Sequence, residues 1–189
     1  NFKALLWGAG TYRHDSTREQ AITVLLTKKP CVLDGGALSS FAGQASELTS
    51  HLHGQVILTP HEGEFLRLFP HLAFLQNKAE KALKAAAEAG AIIVLKGNDT
   101  VIASPQGELI INANAPATLS TGGTGDVLAG LMVSLLAQGL PPFQAAAAAV
   151  WIHGAAANRR GLGLIAEDLL PEIPAVLQAL SRLRQEEAR

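Results

Sequence analysis

"NKAEKALKAAAEAGAIIVLKGNDT", residues 77–100, reads as a helix running into a strand. Its first part is built mostly from alanine, lysine, glutamate and leucine, the residues that lose least on entering a helix, and Gly90 ends it. The next seven residues, "AIIVLKG" at 91–97, form a short apolar run closed by Lys96 and Gly97, the pattern of a buried strand. A helix that delivers the chain to a strand without a polar face is one unit of a sheet covered on both sides.

The same rhythm extends upstream. "ALLWG" at 4–8, "CVLDG" at 31–35 and "QVILTP" at 55–60 read as further strands, and "DSTREQAITVLLTK" at 15–28 has the acidic start and apolar spacing of an amphipathic helix. The fold class is therefore α/β with a largely parallel sheet, and the polar residues that follow the strands gather at one edge of it. Downstream the rhythm changes. "TVIASPQGELIIN" at 100–112 reads as two strands joined by "SPQG", an antiparallel hairpin. Residues 124–138 and 142–158 read as long helices separated by "GLPP", and a terminal helix is expected over 171–185.

With 189 residues, 48% of them hydrophobic, and no repeat or linker, the chain is expected to form one domain over 1–189. Its 15 basic and 16 acidic residues nearly cancel, which leaves no electrostatic footprint for nucleic acid or an anionic membrane as partner. The apolar runs are short or broken by glycine, proline and histidine, so no spanning helix is expected. A lone cysteine, Cys31, excludes an intrachain disulfide framework and fits a cytoplasmic protein. The chain begins with Asn1 and shows no targeting segment.

The chemistry concentrates in "LSTGGTGDVLAG", residues 119–130. Gly122, Gly123 and Gly125, with Thr124 between them, allow successive amides to converge on an anion, and the helix that follows adds its positive end. Asp126 repels a bound phosphate unless it acts on something else. Beside such an anion hole it can take the proton from a hydroxyl in line with a transferable phosphoryl group. The competing reading is a helix cap, with Asp126 satisfying amides at 128 and 129. The stretch lacks the "GK[ST]" ending of a Walker A loop and is no dinucleotide fingerprint.

Other candidates follow strands at the same edge. His61, Glu62 and Glu64 lie in "LTPHEGEF", where His61 can donate to a ligand and the glutamates can open a helix. Their spacing is not that of a zinc helix, and no protein metal site is expected. Lys96 can approach phosphate while Gly97 admits the backbone and Asn98, Asp99 and Thr100 add polar contacts. Gly8 and Gly10 can pass beneath a ligand. Asp34 can orient a ribose or other polar group or cap the helix after it, and the cap is the expectation; Asp168 is expected to cap the last helix. Arg159 and Arg160 suit a helix C-terminus. His153 is expected as a hydrogen-bonded core histidine and Trp151 as a packing residue.

The ordered combination of "LTPHEGEF", "VLKGNDTVIASPQGELIIN", "LSTGGTGDVLAGLMVSLLAQG", "AAAAAVWIHGAAAN" and "GLIAEDLLPEIP" resembles the ADP-dependent NAD(P)H-hydrate dehydratase family, over essentially the whole chain and most strongly from 55 to 174. The glycine turn alone is shared with ribokinase-like kinases. The resemblance implies a ribokinase-like three-layer α/β/α sandwich with a mainly parallel central sheet. It also implies restoration of hydrated NADH or NADPH (NADHX, NADPHX), with ADP as phosphoryl donor, Mg2+ on the nucleotide, and AMP and phosphate released. By likeness, Asp126 is the base; Gly10, His61 and Asp126 hold the substrate; and Lys96, Gly97, Asn98, Asp99, Thr100 and Gly125 hold the nucleotide. Gly122, Gly123, Thr124 and Gly125 form the anion hole. The chain departs from the family where it has "GAG" for "GPG", "DGGAL" for "DADAL" and "NANAPA" for "GNPG", and is expected to lack the family's N-terminal section. An epimerase domain or partner and a homo-oligomer are further expectations. A ribokinase-like small-molecule kinase and a noncatalytic nucleotide-binding domain are the alternatives.

Overall fold

The computed structural model describes residues 2–187. Six strands form one sheet in chain order: β1 (Leu5–Trp7), β2 (Cys31–Leu33), β3 (Val56–Leu58), β4 (Ile92–Leu95), β5 (Thr100–Ala103) and β6 (Leu109–Asn112). The first four are parallel, and the last two return as antiparallel neighbours. The parallel steps need crossovers, and these are supplied by α1 (Asp15–Leu26), α2 (Gly36–Ser39), α3 (Ala45–His51), α4 (Glu62–Leu68) and α5 (Lys78–Ala89). Strand order advances in one direction, so right-handed crossovers deliver all five helices to the same face.

Alternate strand residues then face two different layers. Cys31, Leu33, Val56, Leu58, Ile93 and Leu95 pack in one cluster with Ala21, Leu25, Phe65, Ala82 and Ala86 of the crossover helices. Their neighbours Val32, Ile57, Ile92, Val94 and Ile102 pack with Leu128, Ala129 and Met132 of α6 (Thr124–Ala137) and Ala145 and Ala149 of α7 (Pro142–Arg160). The buried alanines of α7 let its backbone approach the sheet closely. The three-layer arrangement and the hairpin match the expectation from the sequence, and no helix among the described residues is long and apolar enough to cross a membrane.

Several local readings are corrected. The terminal helix, α8, spans Leu169–Glu187 and so starts before the expected residue 171. Pro171 is tolerated there because the first turn of a helix has no acceptors for its amides anyway. Asp168 does not cap α8: its Oδ2 accepts from the Ile165 amide at 3.0 Å and pairs with Arg160 at 3.1 Å, closing a short 3-10 turn over Ala166–Asp168. Arg159 pairs with Glu172 at 2.8 Å, so both arginines join α7 to the segment that follows it. Trp151, expected as a packing residue, is 43% exposed.

Candidate functional site

The C-terminal ends of β2, β3 and β4 bring Asp34, Thr59, His61 and Lys96 to one edge of the sheet. Asp34 is buried, and its Oδ1 accepts from Thr59 Oγ1 at 2.7 Å and from Lys96 Nζ at 2.8 Å. The expectation of a helix cap at Asp34 is therefore wrong. Helix α2 begins after Gly35 without a side-chain cap, and Asp34 instead answers a cation, because a buried carboxylate requires a paired charge. Lys96 has three donors, so this pair leaves it able to meet an anion.

The glycine turn meets this pair. Gly123 takes φ +85°, a left-handed conformation that starts α6 with no side-chain cap. The hydroxyl of Thr124 lies 2.8 Å from the carbonyls of both Leu119 and Thr121 and ties the turn down. The amides of Gly122, Gly123 and Gly125 make no hydrogen bond among the described residues. A side-chain carbon at Gly125 would lie 3.7 Å from Lys96 Nζ and 4.0 Å from Asp34 Oδ2, so free helix amides and an ammonium face the same space. Asp126 sits in the first turn of α6 with its carboxylate exposed and unpaired among the described residues. Since the cap position belongs to Gly123, the capping alternative for Asp126 falls.

His61 precedes α4, and its Nδ1 accepts from the amides of Gly63 at 3.0 Å and Glu64 at 3.3 Å. In the neutral ring the proton is thus on Nε2, a donor that lies 3.6 Å from Glu64 Oε2. Glu64 reaches back to the His61 amide at 3.0 Å and completes a capping box. Lys96, Gly97 and Asn98 begin the turn between β4 and β5. Asp99 in the same turn pairs with Lys78 at 3.1 Å, and this bond lowers its pKa.

These residues surround two cavities. The first, about 560 Å³, is lined by His61, Lys96, Gly97, Asn98, Thr100, Thr124 and Gly125, with Pro116, Leu128, Val150 and His153 among the rest. The second, about 400 Å³, is mostly apolar and opens beside Asp126, Val127, Leu131 and Leu170. Gly125 and Asp126 are adjacent, yet each borders a different cavity, because successive helix residues point about 100° apart. Gly122, Gly123 and Asp99 line neither, nor does Gly10, at φ +68° after β1, where a side-chain carbon would meet open space.

One residue was only half foreseen. His153 is 7% exposed, as expected of a core histidine, but its Nε2 has no hydrogen-bond partner among the described residues, so the ring is only partly satisfied. Burial pushes its pKa down to about 4, against a backbone hydrogen bond with Thr124 that favours the proton. The signal was present in the sequence: Val150 and His153 are three apart on a helix and share a face. The wall opposite is "NANAPA". Asn114 donates to the Trp151 carbonyl at 2.9 Å, accepts from Asn112 at 2.7 Å, and its carbonyl accepts from Asn158 at 2.6 Å, which stitches the loop to α7.

The chain is similar to known proteins along most of its length. The model of a family described as NAD(P)H-hydrate dehydratase matches residues 1–174. The chain is 42% identical over 172 residues to the ADP-dependent (S)-NAD(P)H-hydrate dehydratase of Neisseria meningitidis, covering 88% of this chain and 58% of that protein. It is 40% identical to the bifunctional NAD(P)H-hydrate repair enzyme Nnr of Salinibacter ruber, covering 92% of this chain and 33% of that one. The crystal structure of the ADP/ATP-dependent NAD(P)H-hydrate dehydratase from Bacillus subtilis, co-crystallised with ATP/Mg2+, superposes with a TM-score of 0.77 at 34% identity, covering 94% of this chain and 64% of that one. The ribokinase-like fold is shared with such structures. The chain thus spans between about a third and three fifths of the length of these curated relatives. Matched along 174 of its residues by the family model, and 42% identical to a dehydratase over 88% of its length, the chain belongs to the NAD(P)H-hydrate dehydratase family.

Proposed function

We propose that the chain catalyses the ADP-dependent dehydration of hydrated NADH and NADPH, returning NADH or NADPH with AMP and phosphate. The observation that carries this reading is the split at the start of α6, where Gly125 borders one cavity beside Lys96 and Asp126 borders the other. A phosphoryl donor in the first cavity and a hydroxylated acceptor at the second would meet across that helix terminus.

In this reading the amides of Gly122, Gly123 and Gly125 and the Lys96 ammonium hold the donor phosphates. Gly97, Asn98, Asp99 and Thr100 form the remaining nucleotide contacts, Asp99 through its backbone, since its carboxylate is held by Lys78. By likeness to the family, His61, through Nε2, and Gly10 hold the dinucleotide; His61 borders the first cavity and Gly10 neither, so that ligand would extend from Asp126 across the sheet edge beyond the second cavity. Asp126 accepts the proton of the ring hydroxyl as its oxygen attacks the β-phosphorus of ADP, and the bond to AMP breaks. The C–O bond of the phosphorylated ring then breaks with phosphate leaving. The neighbouring carbon gives up a proton, which restores the ring double bond. Magnesium would arrive on the nucleotide phosphates, where its charge offsets that of the transferred group. We further propose a cytoplasmic homo-oligomer supplied by an epimerase domain or partner that interconverts the hydrate epimers.

The test is recovery of NADH absorbance from its hydrate with ADP, ATP or no nucleotide, for the wild type and Asp126→Asn. Expected is nucleotide-dependent recovery that prefers ADP and falls about 10²- to 10⁴-fold in the variant. A folded protein that binds ADP without recovery, or that phosphorylates a small alcohol with ATP instead, would sink the dehydratase reading in favour of the binding module or the kinase.

A further inference from the structure

The turn from β4 to β5 lacks the bonds that ordinarily hold a turn in one form. No backbone hydrogen bond closes residues 97–99, and the amides of Gly97 and Asn98 have no partner among the described residues. Both residues line the first cavity, beside Lys96 and Thr100. Unpaired amides at a cavity are donors ready for a ligand, but an exposed turn without bonds of its own samples many shapes. Side chains supply what the backbone does not. Thr100 Oγ1 donates to the Gly97 carbonyl at 3.3 Å, and Lys78 Nζ donates to the Asp99 carbonyl and, at 3.1 Å, to Asp99 Oδ1.

Lys78 comes from outside the turn. It opens α5, whose start is fixed by Asn77: the Oδ1 of that cap accepts from the amides of Ala79 at 2.9 Å and Glu80 at 3.2 Å. The ammonium is thus anchored to a capped helix end and grips, at two atoms, a residue 21 positions along the chain. Gly97 carries the mark of the same contact. It has no left-handed φ, so its backbone does not call for glycine, yet a side-chain carbon there would collide with Lys78 Nζ. Glycine at 97 leaves room for the ammonium. Lys78 itself lines neither cavity, so it can act on a ligand only through the turn.

Resting on the nucleotide reading given above, we propose that Lys78 is a positioning residue for the phosphoryl donor: by holding two oxygens of Asp99 it keeps the β4–β5 turn in the form in which the Gly97 and Asn98 amides meet the nucleotide. An ion pair at the surface contributes little to the stability of the fold. Its effect falls on binding, because without it the nucleotide itself has to order the turn.

The experiment is calorimetric titration with ADP of the wild type, Lys78→Ala, Lys78→Arg, Gly97→Ala and the double variant Lys78→Ala with Gly97→Ala. Each is checked for folding by circular dichroism, and NADH recovery from the hydrate is followed at varied ADP. Expected is about tenfold weaker ADP binding in Lys78→Ala, with Lys78→Arg close to the wild type. KM for ADP should rise by the same factor while kcat stays within about twofold, a split that a partly unfolded variant does not give. Gly97→Ala pushes the ammonium off Asp99, so it should weaken ADP as much as Lys78→Ala does, and the double variant no further. Unchanged ADP affinity in Lys78→Ala, a fall in kcat at unchanged KM, or a double variant whose loss is the product of the single ones overturns the proposal. The expected pattern of ADP affinities without NADH recovery upholds it and removes the dehydratase reading instead. A folded wild type that binds no ADP removes the nucleotide reading, and this proposal with it.

Discussion

His153 links its ionisation to the stability of the protein. Its pKa in the fold is about 4, against an ordinary value of 6.5, chiefly because of burial. As pH falls through 6.5 the unfolded ring takes up a proton that the folded ring refuses until about pH 4. Stability contributed by this group is therefore full above pH 6.5 and declines between 6.5 and 4, by up to about 3 kcal/mol. Urea unfolding at pH 7, 5.5 and 4.5 should show this decline in the wild type and a shallower one in His153→Phe. His53 titrates downward too, from burial and the Lys28 charge, but that contribution is common to both proteins. At this scale the sequence was legible where function lies close along the chain and not where it is assembled from afar. Gly125 and Asp126 could be picked out from one short run. The pairing of Asp34 with Lys96 joins positions 62 residues apart and exists only because β2 and β4 flank β3, so Asp34 read alone looked like a cap. His153 was only half foreseen for a related reason: a histidine on an alanine-rich helix is ordinary until the facing wall is known to offer Nε2 no partner.

The wall of the first cavity depends on how one loop is fastened to one helix. Gly154 lies inside α7, where alanine would ordinarily gain about 1 kcal/mol through helix propensity. Here a side-chain carbon would collide with the Asn114 amide, whose bonds to Trp151 and Asn112 hold the loop. Losing two hydrogen bonds at about 1 kcal/mol each outweighs the gain. Gly154→Ala should therefore lower stability by about 1 kcal/mol in chemical denaturation, rather than raise it, and weaken binding of ADP. Unchanged or increased stability would show that Asn114 repositions without cost. Elements with a strong period, such as α5, α6 and α7, and the hairpin with its "SPQG" turn were plain in the sequence. Helix α3 was not, and α2 and α4 showed only as helix starts after Asp34 and at Glu62, since four to seven residues hold too little pattern to stand out and their form is set by packing beneath the sheet.

For the molecule as a whole, the monotonic strand order sets which regions open first. β2, β3 and β4 are bonded on both sides and buried on both faces, whereas β1 and β6 are edges and β6 exposes Leu109, Ile110 and Ile111. Amide exchange followed by mass spectrometry should find the slowest peptides in β2–β4 and faster ones in β1 and β6. Uniform rates across the sheet would mean that the sheet opens only as one unit. The alternation of helix and strand made the layers foreseeable, but the allocation of helices to faces came from the handedness of the crossovers.

That allocation also orders the life of the chain at the ribosome. The helices covering one face of the sheet are encoded before β5, and those covering the other face only after β6. A nascent chain that has released residues 2–112 thus holds all six strands and one covering layer, while Val32, Ile57, Val94 and Ile102 await α6 and α7. At synthesis rates of about 5–20 residues per second, the bare side persists for roughly 2–10 s before the two helices that cover it have been made. The greasy surface that later carries the α6 layer is, in that interval, the chain's point of greatest exposure to chaperones and to its own neighbours on a polysome.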